Sequence, residues 1–73
     1  MDKPLPLRAR IKKLAEAFQE TGHIDYHLLN NVAIAAKVNE CESAKDCVRK
    51  FCLYKISEQK LIDELQALTP DND

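Results

Sequence analysis

His23 and His27 stand four residues apart with Asp25 between them, the spacing that sets two imidazoles one turn apart on a helix. Zinc needs that pair on one continuous helix and two further ligands. Here Gly22 and a helix-capping Asp25 leave His23 outside the helix that carries His27. No spacing brings Cys41 to them. The pair reads as two surface histidines, and no metal or other cofactor is expected.

The cysteines offer little more. Cys41, Cys47 and Cys52 are an odd number and form no Cys-x-x-Cys, unlike the dense, even sets of secreted disulfide scaffolds. Cys47 and Cys52 are expected as buried free thiols behaving as small hydrophobes. Cys41 falls in a turn and is the one candidate for a reactive or intermolecular thiol. Nucleophilic catalysis would need a base and an oxyanion-stabilising backbone, usually on a glycine-bearing turn. The chain has one glycine, Gly22. Adjacent Asp63 and Glu64 point apart on a helix and make no carboxylate pair. A chain of 73 residues also has little room for a substrate-enclosing cavity. No enzyme is expected.

The elements that would carry any site are helices. Sparse glycine and prolines confined to positions 4, 6 and 70 favour long uninterrupted elements. The stretch His27–Val38 is apolar over most of a helical circumference: Leu28, Leu29, Val32, Ala33, Ala35 and Ala36 cover nearly half of it, with Ile34 and Val38 on a further flank. A helix of that kind is enclosed by neighbours, and Tyr26, Asn30 and Lys37 form its polar strip. The fold expected is all-α, a compact four-helix domain with helices over about 6–20, 26–39, 43–54 and 57–68, packed around the second.

The first helix buries Leu7, Ile11, Leu14, Ala15 and Phe18, and stops at Gly22. Lys12 and Glu16 form an i,i+4 pair in the less favourable order. Asp25 caps the second helix. Ser43 with Asp46 resembles a capping box for the third, whose inner stripe is Ala44, Cys47, Val48, Phe51 and Tyr54. Ser57 caps a fourth carrying Leu61, Leu65 and Leu68, flanked by Ile62. Residues 1–5 read as a flexible arm, 6–69 as one domain, and 70–73 as a disordered acidic tail.

The net charge of −1 hides an asymmetry. Lys3, Arg8, Arg10, Lys12 and Lys13 crowd the start, and the remainder is acidic. No apolar run is long enough to span a bilayer and no leader pattern opens the chain, so a cytoplasmic, reducing location is expected.

Two binding readings follow. The first is a regulatory, inhibitor or adaptor protein that binds another protein through helix surfaces, with possible self-association as a homodimer. Its surface is Arg49, Lys50 and Leu53 on the third helix, aided electrostatically by Arg8 and Lys12. The alternative is a helix-turn-helix DNA-binding regulator formed by helices two and three, with Lys45, Arg49 and Lys50 at the nucleic acid. Glu40, Glu42 and Asp46 weaken that alternative, because duplex affinity rests on a strongly basic face.

Overall fold

The computed structural model describes residues 6–68. The arm at 1–5 and the acidic tail at 70–73 lie outside the described residues. Four helices follow in order: α1 (Leu7–Thr21), α2 (Tyr26–Val38), α3 (Glu42–Cys52) and α4 (Glu58–Ala67). The molecule is the expected all-α four-helix domain. The helices pack in a ring, α1 on α2, α2 on α3, α3 on α4 and α4 back on α1. Neither diagonal pair packs directly, so α2 is one side of the ring rather than the hub around which the other three were expected to pack, and α4 is held by α1 and α3.

One continuous core fills the ring, with Ile11 and Leu14 from α1, Leu29, Val32 and Ala36 from α2, Ala44, Val48 and Phe51 from α3, and Leu61, Ile62 and Leu65 from α4. No polar side chain is buried with them among the described residues. Ile62, expected at the edge of its stripe, is enclosed, because α4 sits between two neighbours and is covered on two sides.

The helix ends explain the departures from the expected boundaries. Gly22 does stop α1, at φ 77°, its N–H donating to the Phe18 carbonyl at 2.7 Å. Asp25 caps α2, its Oδ1 accepting from the His27 and Leu28 amides. Ile24, in the connection between α1 and α2, is buried. It precedes the cap, and Leu29 is the fourth helical residue, the spacing of a hydrophobic staple. Ile56 and Leu61 repeat that spacing around the Ser57 cap. The Ile24 amide donates to Glu58 Oε2 at 3.0 Å, tying the α1–α2 connection to the first turn of α4.

α3 begins at Glu42, not after Ser43, and its N-cap is Cys41. The preceding turn dictates this. The Cys41 amide donates back to the Ala36 carbonyl and the Glu40 amide to Lys37, a Schellman closure that leaves Glu40 left-handed at φ 54°. α3 ends the same way: the Tyr54 amide donates to Phe51 and the Lys55 amide to Lys50, with Tyr54 at φ 61°. That closure corrects two expectations. Tyr54 is swung out of the inner stripe to the surface, and Cys52, at the outer edge of the stripe, is exposed.

Candidate functional surface

Of the large apolar side chains exposed among the described residues, Tyr26, Ile34, Val38, Leu53 and Tyr54 lie on the α2–α3 pair, and Leu68 closes α4. At the close of α3, Leu53 is 58% and Tyr54 94% exposed. Tyr26, in the first turn of α2, stacks its ring against Phe51 with centroids 6.4 Å apart. This contact sets the start of α2 beside the end of α3. The α1–α2 connection and the start of α4 meet at the same end, through the Ile24–Glu58 hydrogen bond.

The charged candidates on α3 are in place, but engaged with their own helix. Asp46 holds both Arg49, at 3.7 Å, and Lys50, at 3.1 Å. Its hydrogen bond and negative charge push the Lys50 ammonium above its ordinary pKa. Lys45 pairs with Glu42 at 2.8 Å. Such exposed, solvent-screened pairs add little to stability. A further cation, Lys55, is exposed just beyond Tyr54.

Arg8 and Lys12 are not joined to this surface. They lie on α1, which does not pack against α3. Lys12 is exposed and Arg8 half-buried, and no ion pair links Lys12 to Glu16. Arg49, Lys50 and Leu53 thus share the end of α3, while Arg8 and Lys12, expected only as an electrostatic aid, lie on a helix that does not pack against it. Tyr54 belongs with Leu53 and was missed because its spacing fits the inner stripe of a helix that in fact ends two residues earlier.

Other chemistry finds little support in the geometry. Among the described residues no three of His, Cys, Asp and Glu converge to hold a metal ion; His23 precedes α2 and both histidines are exposed. Cys41 is half-buried rather than open. Cys47 is buried and donates to Glu64 Oε1 at 3.4 Å. Burial, then this carboxylate, push its thiol up to about 11, the opposite of an activated nucleophile. The same hydrogen bond, with Lys60 at 3.4 Å, holds the Glu64 carboxyl below its ordinary value. A cleft between α1 and α2, lined by Arg10, Lys13, Leu28 and Asn31, encloses about 150 Å³, where small-molecule sites occupy roughly 300–1,000 Å³. No described helix is long and apolar enough to cross a membrane.

No family model, curated protein or solved structure matches the chain.

Proposed function

We propose that this chain is a small non-enzymatic protein that binds another protein through the end of α3, acting as a regulator, inhibitor or adaptor. The observation that carries this reading is Leu53 and Tyr54 standing exposed side by side, with Tyr54 held at φ 61°. A left-handed backbone costs a bulky residue on the order of 1 kcal/mol or more. Tyr54 gains no burial in return. Tyrosine is enriched where binding energy concentrates, because its flat ring fills a partner's pocket at low entropic cost. Lys55, Arg49 and Lys50 surround the pair, so the partner expected is a protein surface with an apolar socket and an acidic rim. Rim charges of this kind set association rate and specificity. Three unpaired cysteines suit a reducing compartment.

The helix-turn-helix alternative draws support from the short turn between α2 and α3. Against it, Lys45, Arg49 and Lys50 already face carboxylates on their own helix, and the net charge is −1. Comparative affinity capture tests the protein-binding reading. The wild-type chain retains a partner that Leu53→Asp loses while keeping its helicity and melting temperature. Loss of fold in Leu53→Asp, or salt-sensitive duplex binding weakened by Lys45→Glu, overturns it.

A further inference from the structure

Basic residues crowd the first helix, and two of them meet the second. Arg10 and Lys13 stand three residues apart and so share one side of α1. The Arg10 Nη1 donates to the Asn31 carbonyl at 2.9 Å, which holds the guanidinium across the seam between α1 and α2. With Leu28 and Asn31 of α2, these two cations line the cleft of about 150 Å³. No carboxylate is among its walls. α2 contributes none, since no Asp or Glu occurs from Tyr26 to Val38. Glu16 and Glu20 follow Lys13 on α1, yet among the described residues no ion pair engages Lys13.

Two cations, an amide and one apolar wall at a single cleft suit a small anion of more than one charge. We propose that the α1–α2 cleft holds a phosphoryl group, free as inorganic phosphate or carried as an ester. The inference does not rest on the α3 surface. The volume admits one tetrahedral anion and little more, well below the roughly 300–1,000 Å³ of sites that enclose a whole small molecule, so the remainder of an ester lies outside. A phosphate monoester carries about −1.5 to −2 charges at pH 7 and three acceptor oxygens. Arg10 and Lys13 supply the positive charge, and Asn31 adds a neutral amide, one side chain for each oxygen. A carboxylate, with one charge and two oxygens, leaves one of the three unmatched. Leu28 offers its surface to the carbon of an ester. The guanidinium is a planar fork and the ammonium a point charge, both of them phosphate binders. Lys13 and Asn31 are exposed, so water and salt screen the site and keep the affinity modest.

Magnetic-resonance titration of the whole chain with isotope-labelled amides, at constant ionic strength, tests this with inorganic phosphate, methyl phosphate and acetate as probes. The expected result is saturable shifts centred on residues 10–13 and 28–31, with a Kd of about 1–10 mM for the tighter phosphate probe. Acetate binds at least several-fold more weakly. Tighter binding of methyl phosphate identifies an ester as the source, and tighter binding of inorganic phosphate a free anion; either supports the cleft. Lys13→Gln and Asn31→Ala, both at exposed positions, each weaken binding at least several-fold with unchanged far-ultraviolet circular dichroism. Lys12→Gln removes the same charge one position along, outside the cleft, and leaves binding unchanged. Shifts that never saturate overturn the proposal. So does acetate binding as tightly as phosphate, or equal loss in Lys12→Gln and Lys13→Gln, because charge alone then holds the anion.

Discussion

At the scale of single residues, the cysteines separate most clearly by environment. Cys52 is open to solvent, Cys41 half-covered, and Cys47 enclosed beside Glu64. Trapping with an aromatic disulfide reagent near neutral pH should therefore modify Cys52 first, Cys41 more slowly and Cys47 only on unfolding, as mass spectrometry of quenched samples would record. Equal rates for Cys47 and Cys52 would contradict the packing described. The raised Cys47 thiol also has a pH consequence. Its ordinary value of 9.0 applies to the unfolded chain and about 11 to the folded one, so the unfolded state gives up its proton first. The contribution is fully present below pH 9 and is lost as pH rises towards 11. Denaturant midpoints measured across that window should fall, and Cys47→Ala should flatten the part of the decline due to this thiol. The sequence made Cys47 legible as a buried thiol because it lies centrally in the Ala44–Cys47–Val48–Phe51 stripe. Cys52 was misplaced because its exposure depends on where the helix stops.

Elements, in this chain, are defined by their ends. Periodicity alone located all four helices, and Gly22, Asp25 and Ser57 marked their boundaries by side-chain chemistry that any sequence displays. The C-terminal ends of α2 and α3 were illegible for a physical reason: both Schellman closures place a non-glycine residue, Glu40 and Tyr54, in the left-handed region. Glycine at either position relieves that strain. Glu40→Gly and Tyr54→Gly should each raise stability by about 0.5–1 kcal/mol, a few degrees in Tm for a domain of this size, by thermal melts. The two variants should differ in binding. Glu40→Gly leaves the proposed surface untouched, whereas Tyr54→Gly removes its aromatic side chain and should weaken partner capture despite the higher Tm. A stabilised variant with impaired binding is the pattern expected where strain serves a function. Ile24 and Ile56 teach the complementary lesson. Their staple spacing to Leu29 and Leu61 is present in the sequence, and each packs against the core ahead of the capped helix that follows it.

At the scale of the molecule, the described residues form a ring of four helices small enough that its surface matters as much as its core. A chain of this size buries a modest fraction of its apolar area, and emptying one fully enclosed position such as Leu14 or Leu61 would remove about 2–5 kcal/mol, a large share of a small domain's stability. Against that background, apolar side chains left outside invite explanation by association. Among the described residues these are Leu53 and Tyr54 at the end of α3, Tyr26, Ile34 and Val38 along α2, and Leu68 at the close of α4. The ring geometry keeps Arg8 and Lys12 away from Leu53 and Tyr54, something that helical wheels drawn one helix at a time do not reveal, since they carry no information on which helices are neighbours. The most direct test of the account compares affinity capture from cells of the source organism by wild type, Leu53→Asp and Lys12→Glu. The prediction is a partner retained in near-stoichiometric amount by wild type and Lys12→Glu and lost from a folded Leu53→Asp. Equal capture by Leu53→Asp and wild type, or loss through Lys12→Glu alone, would contradict it.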